Sequence, residues 1–234
     1  MRHVIAIVAL ALSCAGCASY RTPGGAVSLT QIADGAGETA QQPSPQFPLR
    51  MALVRVQAAA YRSGSASGYG NGRFSVIATP ELPDATQLQA LAQWPQLAGV
   101  SVFDASLLPE HFDSLADLRF AAAKMQADVL LVYTLATSFR IDGHDREPAS
   151  KIALGDQPDT DAAVNSTASL AFVDVRTGFT YGATQATATV AGLADAWDSA
   201  AALDAKRLDA ERQAFAALLV AAEKSWSGIV GRYR

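Results

Sequence analysis

The sequence predicts a mixed α/β (α+β) fold, with one β-sheet of about five to six strands, two shorter helices and a long C-terminal helix packed on it. Three observations lead there. Apolar runs of strand length alternate with stretches of helical periodicity through residues 49–141; a run of continuous apolar content, Ala127 to Ile141, has the pattern of a strand buried on both faces; and the last 37 residues carry a single apolar stripe. Half of the 234 residues are hydrophobic, which is ample for a core.

Taken in order, "LRMALVRVQAAAY" opens the folded part, with Met51, Leu53, Val54 and Val56 forming a strand, and "GRFSVIATP" reads as a second strand ending at Pro80. Between them "YRSGSASGYGNGR" reads as a long hairpin loop. It lacks the Lys-Ser or Lys-Thr ending of a phosphate-binding loop and opens no helix, so it is expected to be a mobile connector. Leu88, Leu91 and Trp94 stand at helical spacing and Pro95 stops that helix. "GVSVFDASLLP" then alternates like a strand. The next helix has Ser114 as its cap, Asp117 three residues on, and Leu115, Leu118, Ala122 and Met125 on one stripe.

After the central strand, Asp142 to Asn165 reads as a polar loop. Leu170, Phe172, Val173 and Val175 then lead into a turn at Arg176-Thr177-Gly178, and a Thr-rich strand returns from it, so the pair is a hairpin. The final helix, about Trp197 to Tyr233, places Leu208, Phe215, Leu219, Ala222, Trp226, Ile229 and Tyr233 on one face. Lys206, Arg207, Glu211, Arg212 and Glu223 mark the other.

The N-terminus has a different character. Met1, Arg2 and His3 form a short positive head and Val4 to Leu12 are nine apolar residues, too few for a membrane span of roughly 20 but suited to a signal peptide. Small residues and a cysteine follow: Ala15, Gly16, Cys17, Ala18, Ser19. This stretch resembles the lipobox of bacterial lipoproteins, with Cys14 where Leu is usual. The resemblance implies a signal peptide over residues 1–16 and acylation of Cys17, with Cys14 the alternative. Ala18, rather than Asp, after the modified residue implies sorting to the outer membrane, facing the periplasm. Thioether-linked diacylglycerol plus an acylated amine would bury dozens of methylenes at ~0.8 kcal/mol each, so the anchoring would be effectively permanent. Residues 17–48, rich in Gly, Pro, Gln, Ser and Thr, are expected to be the lipidated end and a flexible tether, with the short apolar stretch Ala26 to Ile32 as the part that could dock locally, and residues 49–234 a single periplasmic domain.

Loss of residues 1–16 removes Arg2 and no acid, leaving 17 basic against 22 acidic residues and a net charge of −5. Nucleic acid is not a partner for such a surface, which lacks concentrated Lys and Arg. Cys14 and Cys17 are the only cysteines, so no thiol lies in the domain, and no Gly-x-Ser-x-Gly elbow occurs. The histidines of the domain are His111 and His144. Asp142, His144, Asp145 and Glu147, with Asp156, Asp159 and Asp161, form the best polar cluster, but one imidazole among scattered acids lacks the ligand set of a zinc or calcium site. The expectation is therefore no catalytic residue, no metal and no cofactor.

"AKMQADVLLVYTL" leading into "SLAFVDVRTGFTYG" is similar to the small α/β domain of envelope proteins such as the N-terminal domain of TolB, the curli-secretion lipoprotein and the lipoprotein activators of cell-wall synthases. The matching positions are Ala127-Asp128 and Asp174-Val175-Arg176-Thr177-Gly178. Both motifs also have a local reading: Asp128 satisfies backbone donors where a helix gives way to a strand, and Thr177-Gly178 supplies hairpin geometry. The resemblance implies a non-catalytic adaptor bound to an envelope protein or cell-wall polymer, with an exposed sheet edge or the loops as contact surface. A cell-wall or lipid hydrolase, its carboxylate pair unmarked by any motif, is the enzymatic alternative. A subunit of a ring-forming envelope or secretion assembly is the structural one.

Overall fold

The structure, a computed structural model, describes residues 18–33, 43, 45–78, 81–154 and 157–234. The signal peptide, Cys14, Cys17 and Asp156 lie outside the described residues.

In chain order the elements are β1 (Ser19–Arg21), α1 (Leu29–Ile32), β2 (Leu49–Ala58), β3 (Asn71–Gly72), β4 (Phe74–Val76), α2 (Ala85–Leu91), β5 (Leu97–Val102), β6 (His111–Phe112), α3 (Leu115–Lys124), β7 (Val129–Ile141), β8 (His144–Arg146), β9 (Lys151–Ala153), β10 (Ala163–Asp174), β11 (Thr180–Ala191) and α4 (Ala200–Tyr233). The expected mixed sheet with a long C-terminal helix is what forms. Seven strands enter it: β11, β10, β7, β2 and β4 in that order, with β5 also on β2 and β8 also on β7. β2 runs parallel to β5 and β7, whereas the β7–β10–β11 half is antiparallel.

Alternation along the central strands divides the core in two. Met51, Leu53, Leu131, Tyr133, Leu170 and Phe172 pack under α4 with Phe215, Leu218 and Trp226. Ala52, Val54, Leu130, Val132 and Val173 pack under α3 with Leu115, Leu118 and Ala122. These are the two faces that a period of two assigns to successive residues. α3 begins as its sequence dictates: the Ser114 hydroxyl accepts from the Ala116 N–H, and the Asp117 carboxylate accepts from the Ser114 N–H at 3.0 Å. α4 is long and apolar enough to span a bilayer by length and composition alone, but Leu203, Phe215, Leu218 and Trp226 are buried inside the fold.

Three sequence expectations are corrected. The segment after Cys17 is not a free tether through its described part: β1 pairs antiparallel with β9, Tyr20 and Ile32 are buried, and the Tyr20 ring lies 5.3 Å from Phe139. Few apolar residues suffice here because each enters an existing core rather than building one. The 142–165 stretch is not all loop. Asp142 (φ 52°) and Gly143 (φ 75°) make the two-residue turn of a β7–β8 hairpin, and β9 follows as partner of β1. Finally, Arg207 and Glu211, read as solvent-facing, are 0% and 1% exposed. They stand four and eight residues after buried Leu203 and four and three before buried Glu211 and Ala214, on the inward stripe itself.

β11 ends the sheet. Its twelve residues, TYGATQATATVA, contain no charge and no proline, and among the described residues β10 is its one ladder partner.

Candidate functional site

The largest concentration of buried charge among the described residues lies where side chains of α4 and β2 meet, beneath the Gly/Ser-rich stretch. Alternation along β2 places Arg55 on the α4 side, with its side chain 0% exposed, and the Arg55 Nη2 is 3.7 Å from a Glu211 oxygen. Arg207 is the hub. Its Nε and Nη2 donate to the two oxygens of Asp204 at 2.8 and 3.0 Å, its Nη1 donates to Glu211 at 2.8 Å, and Nη2 also donates to the Ser65 hydroxyl at 2.8 Å. Glu81 stands 3.6 Å away. Thr137 donates to the other Glu211 oxygen, Tyr20 donates to Asp204 at 3.0 Å, and Arg55 donates to the Tyr61 hydroxyl while lying 5.4 Å over its ring.

A planar guanidinium with five donors can serve a carboxylate pair and a hydroxyl at once, which an ammonium cannot. Burial acts against charge on Arg207, but its bonds to Asp204 and the charges of Glu211, Asp204 and Glu81 hold it firmly protonated. Burial likewise pushes the phenols of Tyr20 and Tyr61 up, so both remain neutral, Tyr20 donating to Asp204 and Tyr61 accepting from Arg55.

The Gly/Ser-rich stretch, expected to be a mobile connector, is instead packed on this cluster. At Gly64 an added Cβ would come 2.5 Å from Asp204 Cγ, so the chain reaches the carboxylate only without a side chain. Tyr61 and Ala66 are buried. The stretch is a fitted cover, joined to α4 through Ser65.

For Asp204, burial raises the carboxyl, but the Arg207 bonds and charge, the Tyr20 hydroxyl and the Gly64 N–H outweigh it and hold it below the usual range. A depressed folded-state value means stability present above the unfolded value of about 3.9 and lost as pH falls through the folded one. Urea unfolding followed from pH 7 downward is expected to show that loss in the parent. Asp204→Asn is expected to be less stable at pH 7 and to lack this part of the acid dependence.

The motif residues occupy the opposite end of the sheet. Asp128 accepts from the Arg50 N–H at 2.8 Å, joining the start of β7 to β2. Asp174 accepts from the Thr177 N–H and hydroxyl at 2.7 and 2.9 Å and from the Tyr181 hydroxyl at 2.7 Å, and Gly178 has φ 76°. Both motifs therefore have structural roles here, bonding backbone and shaping the turn. They border an open cleft of 710 Å³ with Arg50 and Arg176.

The acidic loop residues are not brought together. Asp142 accepts from the Asp159 N–H and lies 3.9 Å from Arg146, while His144 Nδ1 donates to the Asp142 carbonyl at 2.7 Å. Among the described residues no group of three His, Cys, Asp or Glu is placed to hold a metal. His111 is exposed and faces Asn71 and Asp113.

No protein-family model matches the chain, and no curated protein does. Among solved structures it is similar to lipoprotein GNA1162 from Neisseria meningitidis, at 15% identity over 62% of this chain and 85% of that one, with a TM-score of 0.29. It is also similar to the PelC dodecamer from Paraburkholderia phytofirmans, at 13% identity over 81% of this chain and 96% of that one, again with a TM-score of 0.29. Likeness at this level transfers no site residue and no activity to this chain.

Proposed function

We propose that the chain is a lipid-anchored envelope module, held at the periplasmic face of the outer membrane, that binds a partner rather than turning over a substrate. One observation carries the address: nine apolar residues, then Ala15-Gly16-Cys17 with Ala18 behind it. The buried charges favour a structural use, since Arg207, Asp204 and Glu211 satisfy one another beneath a cover.

The binding surface that fits this role is the outer edge of β11. An uncharged, twelve-residue edge offers unpaired backbone groups to an extended peptide of an envelope protein, and α4 borders it through Ala221, Ser225 and Gly228 in a groove of 540 Å³. A cell-wall polymer is the other candidate partner.

Palmitate labelling in cells tests the anchor. The parent and Cys14→Ala are expected to incorporate label and Cys17→Ala to lose it, and an unlabelled parent would overturn the reading. A photo-crosslinker at Thr187 on β11 is expected to capture an envelope protein; capture of glycan alone would replace the protein partner by the polymer.

A further inference from the structure

We infer that the outward face of the β1–β9 ribbon rests on anionic phospholipid headgroups, so that the domain sits flush on the membrane with its α3 end pointing away. The inference rests on the Cys17 anchor proposed above and adds an orientation that the anchor alone does not give.

The first ground is reach. The Ala18 carbonyl accepts from the Leu154 N–H at 3.0 Å, so the domain takes hold of the chain immediately after Cys17. β1 follows at once, with Ser19 opposite Ala153, Tyr20 opposite Ile152 and Arg21 opposite Lys151. The ribbon is fixed to the body of the fold, because Tyr20 is buried against Phe139 and bonded to Asp204. Consecutive Cα atoms are about 3.8 Å apart, so an acylated Cys17 lies within one peptide unit of Ala18. A free tether over residues 18–48 would instead have extended to roughly 100 Å.

The second ground is charge. Tyr20 and Ile152 point inward, so alternation sends Ser19, Arg21, Lys151 and Ala153 outward. Arg21 and Lys151 are exposed and directly opposite one another, an arrangement that like charges disfavour. Neither has a carboxylate within ion-pair distance among the described residues. Arg62 is a third exposed cation, beside the same ribbon in an open depression of 490 Å³ that Arg21 also lines. Phosphate headgroups supply the missing counter-charge. Glu147 just before β9 and Asp204, which lines the same depression, limit the attraction, and Arg21 already donates through Nε to the Ala149 carbonyl, so the acyl chains provide the affinity and the cations set which face is down.

The far end is well separated. β7 runs 13 residues from Val129 beside α3 to Ile141 near the ribbon, which is about 40 Å. Phe120 on α3 is 65% exposed at that distal end.

The test uses the full-length acylated chain in phosphatidylethanolamine and phosphatidylglycerol vesicles carrying a headgroup-nitroxide lipid. A fluorophore is attached at Ala153→Cys or at Phe120→Cys, both exposed positions; the Cys17 sulfur is blocked by its lipid. The label at 153 is expected to be quenched several-fold more than the label at 120. Arg21→Gln with Lys151→Gln is expected to shrink that difference in anionic vesicles, since each cation near such a surface shifts the population by roughly five-fold, with vesicle flotation unchanged. Flotation with equal quenching at both sites would overturn the orientation and leave the anchor standing. Failure to float, with an unmodified Cys17 by mass spectrometry, would overturn the anchor and this inference together.

Discussion

Replacing Arg207 with methionine is expected to lower the unfolding free energy by about 3–5 kcal/mol, the usual effect of removing one partner from a buried ion pair. The magnitude follows from what is left behind. Asp204 loses both of its guanidinium bonds, Glu211 loses its 2.8 Å partner and keeps the Thr137 hydroxyl but only Arg55, at 3.7 Å, as a counter-charge, and Glu81 loses the cation 3.6 Å away. Arg207→Lys is expected to recover only part of the loss, because a single ammonium cannot span Asp204, Glu211 and Ser65. Urea denaturation gives the stability change. Limited proteolysis across residues 62–67 gives a second readout: loss of the Ser65 bond should open the cover to cleavage in both variants, more in Met than in Lys. Removing both guanidiniums together with the acids, as Arg55→Met, Asp204→Leu, Arg207→Met and Glu211→Leu, is expected to cost less than Arg207→Met alone, since none of those four charges then stays buried without its partner.

Trp226→Ala is expected to have an effect of similar size on the other half of α4, about 3–5 kcal/mol for the cavity left by a fully buried indole. The ring is 0% exposed and its centroid lies 5.5 Å from Phe172, while its Nε1 donates to the Pro95 carbonyl at 2.8 Å. That bond ties α4 to the segment between α2 and β5, so its loss adds about 1 kcal/mol for an unpaired carbonyl. Trp226→Phe keeps most of the packing and loses the bond, and is expected to fall between the parent and Trp226→Ala. A shift of the urea midpoint at constant slope would confirm that the native state alone is affected.

These two residues also show how far the sequence could be read. Trp226 was legible because it falls on an apolar stripe with Phe215, Ala222 and Ile229, and periodicity alone puts it in the core. Arg207 and Glu211 stand on the inward side of the same helix, but a charged residue is ordinarily assigned to solvent, and its burial depends on partners far away in the chain: Ser65 lies 142 residues from Arg207. The signal available was positional, two opposite charges at i and i+4 in line with Leu203, Ala214 and Leu218. The capping of α3, the centrality of β7 and the 174–178 turn were all local and were read correctly. Asp142-Gly143 was equally local, a strong two-residue hairpin signal hidden inside a polar stretch. The docking of residues 18–33 was legible only in part. Ile32 ends the short apolar stretch Ala26 to Ile32, which marks a local docking point in the sequence and packs with Val27 and Leu29, whereas Tyr20 is an isolated aromatic in a sequence of tether composition, and only the groove formed by distant elements gives it somewhere to go.

The bond from Tyr20 to Asp204 gives the N-terminal ribbon a mechanical role. Tension applied ahead of Ala18 enters the fold through three strand pairings and a phenol, and the phenol's acceptor is clamped by Arg207. The strain is thereby shared with α4, the longest element, instead of peeling a loose end from the surface. A tug on the front of this chain is a tug on its keel.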